Sequence, residues 1–175
     1  MDMRLQERYT EIEGQRMRAL AAVAALPETD RSLPMAGSTW TPAQLLAHCA
    51  MAEQEFVRRM ALCAETGTGG RKPTRSPIFP LALLLGRHPL VVLPIPSEMD
   101  PPADVSLEAA ARNWEIVRSD LRGWLETVAD PTGIAVMVHP ILGPLSAQQV
   151  LAVLEAHGTY HAKRHVARLE ASRRP

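Results

Sequence analysis

The chain has 175 residues, and its 19 basic and 19 acidic side chains give a formal net charge of zero at pH 7. This length fits a single domain, residues 1–175, whose core needs no covalent staples, and the balanced charge removes the electrostatic reason to expect a nucleic-acid partner. Because no run of about 18 uncharged apolar residues is present, no membrane partner is expected. The first residues are charged and have a helical pattern, which predicts a cytoplasmic protein.

Two amphipathic helices are predicted in the first third of the chain. Apolar residues at helical spacing mark the first, from about Leu5 to Leu26, and Pro27 ends it. Residues 28–39 keep no period and are predicted to form a loop. The sequence Thr41–Gln44 is a capping box with proline in the first turn, which starts the second helix. His48 lies on the apolar stripe of this helix, so it is predicted to face the core.

The two cysteines, Cys49 and Cys63, are predicted to be small core residues. They lie fourteen residues apart on the second helix, which separates them by about four turns, or roughly 20 Å, and excludes a disulfide between them. Their spacing also fits neither a Cys-x-x-Cys zinc site nor a redox motif.

A proline- and glycine-rich segment, residues 67–105, follows the second helix. A connection of this length is uncommon in a compact domain unless it covers or lines a site. Its middle, Ile78–Leu85, is too apolar to lie free in water, so it is predicted to be a short helix or turn across the end of the helices, ended by Gly86–Pro89. The same apolar run is alternatively the interface of a homodimer.

The rest of the chain is predicted to add two more long helices. Ser106 begins the third, and residues 133–140 form a short extended run. A second capping box, Ser146–Gln149, begins the fourth, whose inward face continues toward Val166 or Leu169. Four long helices and no convincing sheet predict an all-α fold, an antiparallel four-helix bundle with a long proline-rich connection between helices 2 and 3.

Three histidines recur at every fourth position of the last helix: His157, His161 and His165. Side chains four residues apart lie one turn apart on the same face, so His157 with His161, or His161 with His165, can chelate one metal ion. His48 on the second helix is the best candidate for a third ligand. A shared metal would satisfy buried nitrogens that otherwise need separate partners. The same pattern also fits a histidine-rich core or surface.

Other polar residues near the histidines are candidates to assist the site. Glu55 and Glu155 would orient a ligand if they faced it, but on helix geometry both are expected to be solvated charges. Tyr160 would donate a hydrogen bond to a substrate and Arg164 would hold a carboxylate, yet surface placement is the default because adjacent positions on a helix diverge by about 100°. His139, in the loop before the last helix, is expected to border the pocket.

Two segments of the chain resemble the DinB/YfiT-like superfamily, a group regarded as metal-dependent enzymes with a four-helix-bundle fold. The first is Trp40–His48, at the start of the second helix, and the second is His139–Ser146 followed by His157–His161. Helix order, the proline-rich middle and the total length agree with the family as well, so the resemblance covers nearly the whole chain.

The resemblance implies that the metal ligands are His48, His157 and His161. After His161 the family often has a glutamine and an aliphatic residue, where this chain has Arg164 and His165, which leaves His165 as a candidate substitute ligand. Three neutral imidazoles leave an open position on a divalent ion such as zinc or nickel, which is the arrangement of a catalytic site.

Similar proteins include transferases that act with the thiols bacillithiol or mycothiol. The resemblance therefore implies a metal-dependent thiol S-transferase or hydrolase with a small-molecule substrate, for which a low-molecular-weight thiol is a candidate. The alternative is a non-catalytic helical bundle that binds a metal or a small ligand and whose histidines are structural. No catalytic side chain beyond the metal ligands is assigned.

Overall fold

The computed structural model describes residues 1–35, 37–91 and 97–167. Within these ranges the chain is mostly helical and contains one small two-stranded sheet. In chain order the elements are α1 (Met3–Ala24), α2 (Glu28–Arg31), α3 (Pro42–Glu65), α4 (Ile78–Gly86), a 3₁₀ turn (Ser97–Met99), α5 (Leu107–Glu126), β1 (Ala135–His139), β2 (Gly143–Ser146), α6 (Ala147–His161) and a π-helical turn (Ala162–Val166). No helix in the described part of the chain is both long and apolar enough to span a bilayer.

Four of these helices, α1, α3, α5 and α6, are long and pack in pairs around the core. α3 lies against α5, and α1 lies against α6. One buried cluster includes Leu45, Leu46 and Trp114, and a second cluster includes Leu121 and Leu151. The helical class expected from the sequence is confirmed, whereas the antiparallel order of a four-helix bundle stays a prediction.

The predicted helix starts are confirmed by reciprocal hydrogen bonds. In the Thr41–Gln44 box, the backbone N–H of Gln44 donates to Thr41 Oγ1 (3.3 Å) and the backbone N–H of Thr41 donates to Gln44 Oε1 (2.9 Å). The Ser146–Gln149 box closes in the same way. These bonds satisfy backbone donors that the first helical turn leaves free. Val166 is buried as expected, and Leu169 lies outside the described residues.

The small sheet corrects the expectation that the chain contains none. β1 and β2 pair antiparallel, with Met137 opposite Leu145 and His139 opposite Gly143. Gly143 has a φ of 75°, a left-handed conformation that glycine adopts without a Cβ penalty, and it lets the chain reverse between the strands. The extended run at residues 133–140 was therefore predicted correctly, but its partner strand was missed because it is four residues long and contains a proline.

The described part of the proline-rich segment contains the short apolar helix that the sequence predicts. This helix, α4, packs against α6 and exposes Leu81 and Leu84 on its other face. Residues 92–96 of the segment lie outside the described residues. A homodimer interface on α4 stays a prediction. In the loop predicted at residues 28–39, α2 adds one short helical turn.

A buried ion pair joins the three helices α1, α3 and α5. The guanidinium of Arg118 donates from Nε and Nη2 to both carboxylate oxygens of Glu53, at 2.5 and 2.6 Å, and both side chains are buried. Nη1 of Arg118 lies 3.5 Å from the carboxylate of Glu13 on α1, and the hydroxyl of Tyr9 donates to the backbone carbonyl of Arg118. This pair could not be predicted from the sequence, because its members are 65 residues apart.

Candidate metal centre

Two helices bring three histidines together, as the sequence predicts. His48 projects from the second turn of α3, and His157 and His161 project from the last turns of α6. The Nε2 atom of His157 lies 3.3 Å from that of His48 and 3.0 Å from that of His161. All three residues offer one nitrogen within 4.8 Å of the others, and His48 and His161 are buried.

The separations between these nitrogens fit a common cation. Histidine nitrogens bind zinc at about 2.0–2.1 Å in a tetrahedral arrangement, which puts any two of them roughly 3.3 Å apart. The two Nε2 separations, 3.3 and 3.0 Å, agree with that value to within a few tenths of an ångström. The same distances also suit hydrogen bonds, so the positions of the protons distinguish a metal site from a hydrogen-bonded cluster.

The protons of the cluster cannot satisfy its own nitrogens. His48 Nδ1 lies 2.9 Å from the backbone carbonyl oxygen of Met99, and since a carbonyl only accepts, Nδ1 carries the hydrogen and Nε2 presents a lone pair. The Nε2 of His157 has one site for a hydrogen but faces the Nε2 atoms of both His48 and His161. A proton placed for one contact is missing from the other. A cation that accepts a lone pair from each of the three nitrogens removes this conflict.

All three imidazoles are neutral at neutral pH. Burial lowers the pKa of His48, although its bond to the Met99 carbonyl and the charge of Asp100 act in the opposite direction. Burial and then the neighbouring His48 lower the pKa of His157 to about 3. Burial, followed by repulsion from His157 and His48, lowers the pKa of His161 well below its ordinary value. A neutral imidazole is the form that binds a metal, so the ligands need no deprotonation at pH 7.

Aromatic rings enclose the cluster on one side. The ring of Trp40 lies 4.6 Å from the ring of His48 and 6.5 Å from that of His161, centroid to centroid. His165, the candidate substitute ligand, is buried with its ring stacked 5.8 Å from that of His161. It is not among the described side chains whose ligand atoms converge. His165 lies in the π-helical turn that starts at residue 162.

A cavity of about 840 Å³ opens beside the three histidines. It is lined by α3, α4, the turn between β1 and β2, and α6. The expectation that His139 borders the pocket is confirmed, since His139 lines this cavity with its ring 5.8 Å from the ring of Phe56. Met99, whose carbonyl orients His48, also lines it, so the 3₁₀ turn contributes to the site.

The placement expected for Glu155 is wrong. Its carboxylate is not a solvated charge, because Arg87 from the end of α4 pairs with it and Thr159 Oγ1 donates to it at 2.8 Å, leaving the residue 8% exposed. A helical wheel cannot show that α4 covers this face of α6. Glu55, in contrast, is partly exposed, and hydrogen bonds from Arg58 and the charge of Arg59 lower its pKa.

The surface placement expected for Tyr160 and Arg164 is also wrong. Tyr160 is half-buried and lines the same cavity as the three histidines. The guanidinium of Arg164 lies 5.8 Å from the centre of the Tyr160 ring, and its Nη1 donates to the backbone carbonyl of Pro89 at 3.0 Å. Chain that follows α4 therefore covers this end of α6, which the sequence of α6 alone cannot indicate.

One family comparison bears on this site. The sequence model of the DinB superfamily matches residues 11–164, a span that contains all three converging histidines. No curated protein and no solved structure is significantly similar to the chain.

Proposed function

The chain belongs to the DinB superfamily, and we propose that it is a metal-dependent enzyme that holds one divalent cation, zinc or nickel, on the Nε2 atoms of His48, His157 and His161. The observation that carries the proposal is the convergence of three neutral imidazoles whose protons cannot satisfy one another. The proposal includes a cytoplasmic location and the antiparallel four-helix bundle that the family resemblance implies.

The side chains around the cluster would each have a separate task. The N–H at Nδ1 of His48 donates to the Met99 carbonyl, which fixes the tautomer and aims Nε2 at the cluster. Tyr160 lines the adjoining cavity, where its hydroxyl would donate a hydrogen bond to an oxygen that gains negative charge in the substrate. A cation bound by the histidines would supply Lewis acidity that lowers the pKa of a thiol or a water molecule.

The reaction that we propose is transfer of a low-molecular-weight thiol, with hydrolysis as the variant in which water replaces the thiol. The proton of the thiol passes through solvent to the leaving group, the sulfur forms a bond to an electrophilic carbon of the substrate, and the bond between that carbon and the leaving group breaks, with its electron pair departing on the leaving group. The 840 Å³ cavity beside the histidines has room for a thiol and a second reactant. Both reaction classes would use the same three ligands.

Metal analysis of protein purified without a histidine tag tests the proposal. We expect about one divalent ion per chain in the parent protein and in His88→Ala, because His88 is an exposed histidine outside the cluster, and a loss of the ion in His161→Ala. The metal-loaded protein is then assayed with a small thiol and an alkylating electrophile, and separately with an ester. Absence of metal from the parent protein would contradict the proposal. Bound metal without turnover of either substrate would contradict the proposed catalytic role.

A further inference from the structure

The cavity beside the histidines is much larger than a cation site needs. A water molecule occupies about 30 Å³ in the liquid, whereas this cavity measures about 840 Å³. Pockets of roughly 300–1,000 Å³ are typical of sites that enclose a drug-sized organic molecule. The cavity volume therefore indicates the size of the substrate and not the space that a metal ion requires.

The wall of this cavity is mostly apolar. Ala82, Leu83 and Leu85 from α4, Leu142 beside the hairpin turn, and Val153 and Ala156 from α6 all line it. Five of these six residues are only partly buried or exposed, so a ligand can still remove apolar surface from water. A ligand that fills the cavity would stabilise the complex by covering that surface.

The charged groups of the wall are largely paired with each other. Both Arg58 and Arg59 contact the carboxylate of Glu55, with N to O distances of 2.7 and 2.6 Å. A strongly polar ligand would give up its hydration in this cavity and find few free partners along the α4 side. Besides the three histidines and Tyr160, the cavity is lined by Glu98 of the 3₁₀ turn and His139 of β1, and none of these polar residues belongs to α4.

We infer that the substrate is a predominantly apolar organic molecule with one polar reactive group, and that its apolar body lies along α4 while the polar group reaches His48, His157 and His161. The placement of the polar group rests on the proposed function. The placement of the apolar body rests on the cavity alone, so the two parts can be tested separately.

A series of n-alkyl hydroxamates, from acetohydroxamate to octanohydroxamate, tests the inference on zinc-loaded protein. The hydroxamate group chelates the metal and the alkyl chain samples the cavity. By calorimetric titration we expect affinity to rise about fourfold for every methylene group that enters the cavity (about 0.8 kcal/mol). Affinities that stay within about twofold across the series would overturn the inference while leaving the cation site intact.

Two variants on adjacent residues of α4 locate the apolar body. Leu83 lines the cavity, whereas Leu84 is 65% exposed on the other face of the helix. Leu83→Asp should weaken octanohydroxamate by at least about tenfold and leave acetohydroxamate unchanged, since only the longer chain meets the new charge. Leu84→Asp is the matched control and should bind both compounds as the parent does. Equal losses of octanohydroxamate in the two variants would contradict the assignment of α4 as the wall.

A third measurement separates failure of this inference from failure of the proposed function. Chelator-treated, metal-free protein is titrated with n-alcohols from butanol to decanol, which have no metal-binding group. Affinity that rises with chain length supports the apolar cavity even if the protein binds no metal. Affinity that is independent of chain length in this form overturns the inference regardless of metal content.

Discussion

Removal of Arg118 should destabilise the fold more than removal of any surface ion pair. Arg118 is 4% exposed and Glu53 is 5% exposed, and the guanidinium of Arg118 donates two hydrogen bonds to the carboxylate of Glu53. Arg118→Met retains most of the aliphatic length of the side chain but leaves the Glu53 carboxylate buried without its partner. An uncompensated buried charge cannot recover its hydration without opening the helices around it.

The size of the effect follows from this burial. Removing one member of a buried pair costs about 3–5 kcal/mol of the free energy of unfolding. For a chain of this size, a loss of 1 kcal/mol lowers the melting temperature by about 2–4 °C. Arg118→Met should therefore melt about 6–20 °C below the parent protein. Urea unfolding followed by circular dichroism gives the free energy directly.

Two further variants make the argument refutable. Glu53→Leu with Arg118→Met removes both charges, and it should recover most of the lost stability because no buried carboxylate is left unpaired. Arg122→Met, one turn farther along α5, removes an exposed pair with Glu126 and should change stability by less than about 1 kcal/mol. If Arg118→Met is as stable as Arg122→Met, or if the double variant is no more stable than Arg118→Met, the buried pair does not stabilise the fold in this way.

Three further predictions concern the metal and the cysteines. Metal present at about 100 times its dissociation constant should stabilise the protein by about 2.7 kcal/mol, so a chelator should lower the melting temperature by about 5–11 °C. A melting temperature that does not change with chelator would argue against a metal site in the folded protein. Elemental analysis should find metal in His165→Ala, because the His165 ring stacks on His161 outside the converging nitrogens, and no metal in His48→Ala. Loss of metal from His165→Ala with retention in His48→Ala would mean that His165 is a ligand and His48 is not. Burial raises the pKa of Cys49, and Cys49 and Cys63 are both free and buried, so a thiol reagent at pH 8 should label neither until the protein is unfolded. Rapid labelling of Cys49 in the native protein would contradict its buried position.

Local sequence signals predicted the helix starts and the histidine faces. A capping box lies within four residues, so Thr41–Gln44 and Ser146–Gln149 could be recognised without knowledge of the fold. The spacing of His157 and His161 fixed their shared face in the same way. His48 was a candidate third ligand from its inward face, and the family resemblance selected it, but its position relative to the pair depends on the packing of α3 near α6, which the pattern of one helix does not describe.

Features that depend on contacts between distant segments could not be predicted. The Glu53–Arg118 pair forms only because α3 packs on α5, and neither residue stands out on its own helix. Glu155 was misplaced because Arg87, 68 residues earlier, covers it after α4 folds onto α6. Helical periodicity describes one helix at a time, so it does not show which of its residues a neighbouring segment covers.

We propose that His48, His157 and His161 share one divalent cation through Nε2. X-ray absorption spectroscopy of tag-free, metal-loaded protein tests it most directly, because imidazole rings give a characteristic outer-shell scattering pattern. We expect about three imidazole nitrogens at about 2.0–2.1 Å from the metal, and fewer imidazole ligands around any metal that His157→Ala retains. A sulfur neighbour at about 2.3 Å, or fewer than two imidazoles in the parent protein, would contradict it.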